Sequence, residues 1–75
     1  MGLEFYKKKY PYVVNAKNIT AKQMQCITDG NIPGMFKLYN RTFLQNLVYC
    51  DCPDTIKQIE EELIITIYYQ NNNKI

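Results

Sequence analysis

The 75-residue sequence contains no histidine, no tryptophan and no serine, and only three glycines, three prolines and three cysteines. Without serine and histidine, the usual nucleophile and base pairs of hydrolytic enzymes cannot be assembled. No glycine-rich phosphate loop of the P-loop or dinucleotide-binding type is present. A chain of this length buries only about 60% of the surface that it exposes when unfolded, which leaves little room for a catalytic pocket. We therefore expect one small domain over residues 1–75 that is not an enzyme.

Long hydrophobic runs are also missing. The longest apolar stretch, Leu63 to Tyr69, is far too short to span a bilayer. The basic run Lys7–Lys9 is followed by Tyr10 and Pro11 rather than by the continuous apolar segment of a signal peptide. Charged residues make up 21% of the chain and hydrophobic residues 47%, which argues against intrinsic disorder. We expect a globular, cytoplasmic protein.

The three cysteines, Cys26, Cys50 and Cys52, are an odd number in a chain without a secretory signal, and this predicts free thiols. The spacing of Cys50 and Cys52 differs from the Cys-x2-Cys of structural zinc sites, and there is no histidine to complete such a site. Nearby Asp51 and Asp54 are expected to raise the pKa of a thiol, which disfavours redox chemistry. The sequence therefore predicts no metal site and no cofactor.

Positive charge is concentrated in the first two thirds of the chain. The total is +2, but residues 1–48 carry seven basic and two acidic side chains, whereas residues 49–75 carry two basic and five acidic side chains. Such an asymmetry suggests that one end faces a polyanion. The residues that we predict to contact RNA are Lys7, Lys8, Lys9, Lys17, Lys22, Lys37 and Arg41.

The densest basic segment, Tyr6 to Tyr12, interleaves lysines with tyrosines. Lysines neutralise phosphates, and tyrosine rings offer faces on which unpaired bases stack for roughly 1–3 kcal/mol each. An equally weighted alternative is an edge strand that lysines protect from aggregation.

Local patterns predict mostly extended structure before residue 50. Tyr12–Val14 has strong strand propensity, so residues 1–17 are predicted to be extended. Residues 18–28 fit either a helix or a strand, and we predict a strand. Asp29–Gly34 contains Asp-Gly and Pro-Gly pairs and predicts a chain reversal. Residues 35–39 and 43–49 then predict a β-hairpin.

The C-terminal part predicts one helix. Pro53 suits the first helical position, and Ile56, Ile59, Leu63 and Ile67 follow at helical spacing. The β-branched run 64–67 favours a final strand or an extended tail, and residues 70–75 are predicted to be a polar tail. The predicted fold class is α+β, with a small antiparallel sheet of three to four short strands and one C-terminal helix.

The order of residues resembles a known family. Asn18, Ile19, Ala21, Lys22 and Ile27 have the spacing of its first conserved segment. The stretch 32–39, Ile-Pro-Gly-Met-Phe-Lys-Leu-Tyr, is similar to its Ile-Pro-Gly-x-aromatic-x-x-Tyr element, and residues 51–59 are similar to its acidic helix start. The chain thus resembles, from about residue 6 to residue 65, the twenty-first protein of the eukaryotic small ribosomal subunit.

That resemblance implies an α+β structural constituent of the small subunit that supports subunit assembly and rRNA maturation. Its partners would be small-subunit rRNA and neighbouring ribosomal proteins, particularly the universal second protein of the subunit. No membrane or small-molecule substrate is expected. The aromatic residues that we predict to contact partner proteins are Tyr6, Tyr10, Tyr12, Phe36 and Tyr39.

Two alternatives remain open at this point. The segment from Tyr6 to Thr20 also resembles the opening of small proteins encoded by phages of low-GC bacteria, which would make the chain a virus-encoded protein-interaction module without catalytic activity. Another small ribosomal protein with strand, strand and helix order is the third interpretation.

Overall fold

The structure, a computed structural model, describes residues 3–72, and these residues form helices and no strand. The helices are α1 (Leu3–Lys9), α2 (Ala21–Thr28), α3 (Ile32–Phe43) and α4 (Pro53–Asn72), with a 3-10 turn (Pro11–Val13) between α1 and α2. The described part measures 35 × 23 × 19 Å, and α4, at roughly 30 Å, runs along most of the longest dimension. The predicted α+β fold with a three- to four-stranded sheet is therefore wrong.

The N-terminal segment is helical rather than extended. Glu4 lies in the first turn of α1 and Lys7–Lys9 lie in its last turn, an order that complements the helix macrodipole. The Tyr6 ring packs against Tyr68 of α4 at 5.2 Å between centroids, and Val13 of the following 3-10 turn is buried. Packing against α4 thus overrides the strand propensity of the tyrosines and valines.

A capping box starts α2. The Thr20 hydroxyl accepts a hydrogen bond from the Gln23 backbone N–H at 3.2 Å, and the Gln23 side-chain oxygen accepts one from the Thr20 N–H at 2.9 Å. Both bonds satisfy backbone donors that a helix start otherwise leaves unpaired. This local signal resolves the helix–strand ambiguity of residues 18–28 in favour of the helix, so the predicted strand is wrong.

The chain reverses at Asp29 and Gly30, within the predicted turn. Gly30 has φ +69°, a left-handed conformation that glycine adopts without steric cost. Pro33 and Gly34 are not part of this turn, because α3 already begins at Ile32. The Asn31 side-chain oxygen accepts a hydrogen bond from the Gly34 N–H at 3.2 Å and caps α3.

One continuous helix and an irregular segment replace the predicted hairpin. The buried residues of α3, which are Met35, Phe36, Leu38 and Thr42, have helical spacing. Leu44 then takes a left-handed conformation with φ 54° and ends the helix. Residues 45–52, which were predicted to form the second strand and its end, have no regular structure.

The predicted helix start at Pro53 is confirmed, but α4 is longer than predicted. It continues through the β-branched run 64–67, where a final strand or extended tail was predicted, because Leu63, Thr66 and Tyr69 continue its buried face. The Thr66 hydroxyl donates to the Glu62 carbonyl at 2.8 Å, so this buried polar group is satisfied. Residues 70–72 of the predicted polar tail form the last helical residues, and residues 73–75 lie outside the described part.

The core lies where α3 and the segment before α2 meet α4. Its buried residues are Ile19, Met35, Phe36, Leu38, Ile59 and Leu63. Among residues 3–72, no helix is both long enough and apolar enough to cross a membrane.

Candidate nucleic-acid interface

Helices α2 and α3 come very close near the turn that joins them. A Cβ atom placed on Gly34 would lie 3.2 Å from the Cys26 Cβ and 2.7 Å from the Asn31 Nδ2. Only glycine at position 34 permits this approach without a shift of its neighbours. Beyond this contact, the space between the two helices forms an open cleft of about 290 Å³. The cleft is lined by Lys22, Gln23, Cys26, Gly34, Lys37, Leu38 and Arg41.

Three cations converge on this cleft. Lys22 comes from the first turn of α2, while Lys37 and Arg41 are four residues apart on α3 and therefore share a face. All three are exposed, and within residues 3–72 none of them is in a salt bridge. The described lining residues include no aspartate or glutamate. Like charges held around one cleft repel each other, and an anion bound between them relieves that repulsion.

Lys17 lies at the end of the same region. Its backbone N–H donates to the Thr42 carbonyl at 3.0 Å, one residue after Arg41. The Gln70 side chain fixes this segment to α4, since its nitrogen donates to the Lys17 carbonyl at 2.8 Å and its oxygen accepts from the Ile19 N–H at 2.9 Å. Three of the seven predicted RNA-contacting cations therefore line the cleft, and the backbone of a fourth, Lys17, is bonded to the last turn of α3.

The other three predicted cations, on α1, do not line the cleft. Lys7 lies 3.8 Å from the Glu4 carboxylate. The Lys9 Nζ lies 5.7 Å from the centre of the Phe5 ring and 5.6 Å from that of Tyr10, within cation–π range. Lys8 is exposed. Two of these three charges thus already have partners inside the molecule.

The predicted partner-contacting tyrosines form a chain of packed rings. Tyr6 packs against Tyr10, Tyr10 against Tyr12, and Tyr12 meets Phe43 edge to face at 5.5 Å. Tyr39 continues the chain from Phe43 at 4.9 Å. These contacts connect α1 and the 3-10 turn to the end of α3, which is a structural role for the rings.

Two aromatic residues are held more deeply than a partner contact requires. Phe36 is only 3% exposed and packs against Tyr49 at 5.4 Å, so it belongs to the core. The Tyr39 hydroxyl donates to the Glu62 carboxylate at 3.1 Å. Burial, and then the Glu62 charge, raise the pKa of Tyr39.

The three thiols occupy two different environments. The Cys26 thiol lies in the cleft and donates to the Gln23 carbonyl at 3.2 Å, and partial burial raises its pKa. The pKa of Cys50 is instead lowered, mainly by a hydrogen bond from the Cys52 backbone N–H, which outweighs the charge of Asp51. The pKa of Cys52 is raised, first by its hydrogen bond with Cys50 and to a lesser extent by the charge of Asp51. The predicted effect of Asp51 is thus present at both thiols, but at Cys50 hydrogen bonding reverses the direction of the shift. Over the described range, no group of three or more Cys, Asp or Glu side chains is placed to hold a metal.

No protein-family model matches the chain, and neither a curated protein nor a solved structure is significantly similar to it. The ribosomal resemblance thus stays a prediction, and the sheet that it implied is not observed in residues 3–72. What the molecule offers for function is the geometry of the cleft.

Three features of the site were not predicted from the sequence. The Thr-x-x-Gln spacing of Thr20 and Gln23 is the signature of a capping box and would have identified the start of α2. Gly34 was assigned to a turn, whereas it permits the close approach of α2 and α3. No local signal indicates Gln70, because its partners lie more than fifty residues away.

Proposed function

We propose that this protein is a non-catalytic nucleic-acid-binding protein whose cleft between α2 and α3 contacts phosphate groups. The observation that carries the proposal is the convergence of Lys22, Lys37 and Arg41 on that cleft. Arg41 offers a planar fork of donors that suits phosphate oxygens, and the two lysines act as mobile point charges.

The distribution of charge on the rest of the molecule also favours approach of a polyanion to the cleft. The segment Glu60–Glu62 lies on α4 rather than at the cleft, and Glu60 and Glu61 line a separate surface depression with Lys57. A polyanion approaching the molecule is attracted by the cleft and repelled by this acidic surface. Such a field steers association and raises its rate.

Binding fits the cleft better than catalysis does. Cys26 is the nucleophilic side chain in its lining, and its raised pKa keeps the thiol protonated at neutral pH. The chain has no histidine that would activate it. The cleft is also open to solvent, whereas acid–base catalysts are tuned to the working pH by burial and by neighbouring charges.

The ribosomal interpretation is one specific form of this proposal. In that form the polyanion is small-subunit rRNA, the protein acts in the cytoplasm, and ribosomal neighbours cover part of its surface. Its test is co-purification: the protein should sediment with particles that contain small-subunit rRNA. An isolated, stable monomer that never associates with such particles would exclude that form and leave the cleft proposal standing.

A protein-interaction module is the second candidate, and one feature favours it. The irregular segment after α3 exposes several apolar side chains, with 72% of Leu44 and 85% of Val48 accessible to solvent. Exposed apolar groups on a segment without regular structure suit contact with another protein. Replacing Leu44 and Val48 with asparagine should weaken partner capture in that case and leave nucleic-acid affinity unchanged.

The proposal is tested by two triple variants that remove the same charge. Lys22→Ala/Lys37→Ala/Arg41→Ala empties the cleft of cations, and Lys7→Ala/Lys8→Ala/Lys9→Ala removes three cations from α1. Affinity for a random-sequence nucleic-acid pool, as duplex and as single strand, is measured over a salt series. Each phosphate contact contributes roughly 0.7–0.9 to the slope of log affinity against log salt.

We expect the cleft variant to lose most of its affinity and to reduce that slope by about two to three. The α1 variant should change both quantities much less. Equal losses in the two variants would mean that only net charge matters and would contradict the proposed site. Circular dichroism of both variants checks that the helices are retained.

A further inference from the structure

The α2–turn–α3 unit has the connectivity of a helix-turn-helix. An eight-residue helix is followed by the three residues Asp29–Asn31 and then by a twelve-residue helix. Helix-turn-helix units join two helices through three or four residues that often include glycine, and here Gly30 provides the left-handed conformation. The Cys26–Gly34 approach fixes one helix against the other immediately around this turn.

The exposed ridge of α3 has the dimensions of a groove-binding surface. Met35, Phe36 and Leu38 are buried towards the core, whereas Pro33, Lys37 and Arg41 are exposed. The three exposed residues are spaced by four, so they form one ridge about 12 Å long. An α-helix with its side chains is about 10–12 Å across, so it fits the major groove of B-form DNA, which is roughly 12 Å wide.

The side chains on this ridge suit guanine. Lysine and arginine donate to the guanine O6 and N7 atoms, which is the commonest specific contact in the major groove. Asn40, a residue type that reads adenine, is already occupied, since its side chain accepts from the Leu47 N–H at 2.9 Å and donates to the Leu47 carbonyl at 3.0 Å. Lys22 lies across the cleft on α2, where the first helix of such units meets the phosphate backbone.

Other nucleic acids fit this surface less well. Double-stranded RNA has a deep, narrow major groove that side chains cannot read. Single strands are bound through stacking of their bases on aromatic rings, and the described residues that line the cleft include no aromatic side chain. The exposed ridge therefore favours duplex DNA over double-stranded RNA and over single strands.

We infer that α3 enters the major groove of duplex DNA, with Lys37 and Arg41 reading guanine and Lys22 on α2 contacting the adjacent phosphates. This inference rests on the proposed function and refines it, because Lys37 and Arg41 then meet bases instead of phosphates. On a selected duplex, the cleft triple variant should accordingly lower the salt slope by about one, the share of Lys22, rather than by two to three. Arg41 and Lys37 give base preference, whereas Lys22 gives affinity without preference.

The first experiment is selection from a random-sequence duplex DNA pool, followed by binding at one fixed salt concentration. The selected sequence is compared as duplex DNA, as duplex RNA and as each single strand of DNA and RNA. We expect enrichment of guanine-containing sites and binding of the duplex DNA at least about tenfold tighter than of the other polymers.

A selection without an enriched sequence, or a single strand or RNA that binds as tightly as the duplex DNA, would overturn the inference. The proposed function survives that result if the cleft triple variant still weakens binding. Absence of binding to every polymer would instead overturn both.

The second experiment tests the guanine contact directly. Substituting 7-deazaguanine in the selected site removes the N7 acceptor from the major groove and leaves the phosphates unchanged. We expect wild-type affinity to fall about 5- to 150-fold, as the loss of a good base contact does. Arg41→Ala should bind more weakly and lose much of its sensitivity to the substitution, with the remainder carried by Lys37, whereas Lys22→Ala should weaken all sequences alike and stay fully sensitive to it.

Lys57→Ala serves as the matched control, because Lys57 lies on α4 beside Glu60 and Glu61 and away from the cleft. This variant should bind like the wild type. Full sensitivity of Arg41→Ala to 7-deazaguanine would contradict the role of Arg41, and insensitivity of the wild type would contradict guanine reading by α3.

Discussion

Two regions of the molecule carry three cations each, and they use them differently. On α1, Lys7–Lys9 are consecutive, so successive side chains point in different directions around a short helix, and two of them contact Glu4 or aromatic rings. Around the cleft, Lys22, Lys37 and Arg41 are far apart in the sequence but line the same space. Convergence in three dimensions, rather than density along the sequence, makes the second region the better candidate for binding a polyanion.

Both regions depend on α4 for their positions. Aromatic packing of Tyr6 on Tyr68 holds α1 against α4, whereas α3 packs on Ile59 and Leu63 through the core. The difference between the regions can therefore be tested by disturbing α4 itself, then the α2–α3 approach, and then the connection between the N-terminal segment and α3.

The largest effect is expected from Leu63→Ala. Leu63 has no exposed surface and lies in the core cluster, so its truncation should lower the free energy of unfolding by about 2–5 kcal/mol. A chain of 75 residues has roughly 4–11 kcal/mol in total, so this loss is a large fraction. Urea unfolding followed by circular dichroism measures it, and both cation regions should lose their structure together.

Leu63→Met is the control for that prediction. It keeps the volume and apolar character of the side chain and should cost less than about 1.5 kcal/mol. Similar losses in the two variants would mean that Leu63 does not pack as described. Loss of the α1 contacts alone in Leu63→Ala would show that the two regions do not share one core.

A smaller effect on stability, but a clear effect on binding, is expected from Gly34→Ala. The added methyl group would meet Asn31 Nδ2 at 2.7 Å and Cys26 Cβ at 3.2 Å, so it pushes α2 away from α3 without removing any charge. Alanine gains about 1 kcal/mol of helix propensity, which offsets a similar loss at the Asn31 cap. We expect stability within about 1 kcal/mol of the wild type and a several-fold weaker affinity for duplex DNA.

The double variant Asn31→Gly/Gly34→Ala separates the two contacts of that methyl group. Glycine at the cap costs only a few tenths of a kcal/mol and removes the Asn31 side chain. If the approach of α2 and α3 sets the cleft, the double variant should keep the weak affinity of Gly34→Ala. Full recovery would mean that the Asn31 cap, rather than the helix approach, is responsible.

Parts of the fold were predictable because their signals are local. The helix start at Pro53 follows from its position before the stripe of Ile56, Ile59 and Leu63, and the reversal at Gly30 follows from the Asp-Gly pair. The hairpin was predicted wrongly because the apolar pattern around Met35, Phe36 and Leu38 fits both the period of a helix and the alternation of a strand. Only tertiary contact with α4 decides between them.

The candidate site was predictable in composition but not in arrangement. Lys22, Lys37 and Arg41 were among the predicted cations, but Lys7–Lys9 were predicted as RNA contacts alongside them. Their convergence depends on helices α2 and α3 and on the absence of a side chain at Gly34. From the sequence, strands were predicted in place of the two helices, and Gly34 was assigned to a turn. Helical spacing places Lys37 and Arg41 on one face, but it cannot bring Lys22 to them.

The smallest effect is expected from the ionisation of Tyr12, which connects the N-terminal segment to α3. The Tyr12 ring meets Phe43 at 5.5 Å, and burial, followed by the charge of Glu62, raises its pKa from 10.0 to about 12. The folded state thus favours the neutral phenol more than the unfolded state does. This contribution to stability is complete below pH 10 and is lost as the pH rises from 10 towards about 12.

Comparison with Tyr12→Phe isolates that contribution, because phenylalanine keeps the ring and cannot ionise. Between pH 10 and about 12, the free energy of unfolding should fall more for the wild type than for Tyr12→Phe. The difference should be small, since the ring is only partly buried and solvent screens its charge. If the free energy of unfolding falls equally for the two proteins, the neutral phenol of Tyr12 does not contribute to holding the N-terminal segment in place. The difference between the α1 region and the cleft would then rest on the remaining ring contacts, of which Tyr6 on Tyr68 bridges directly to α4.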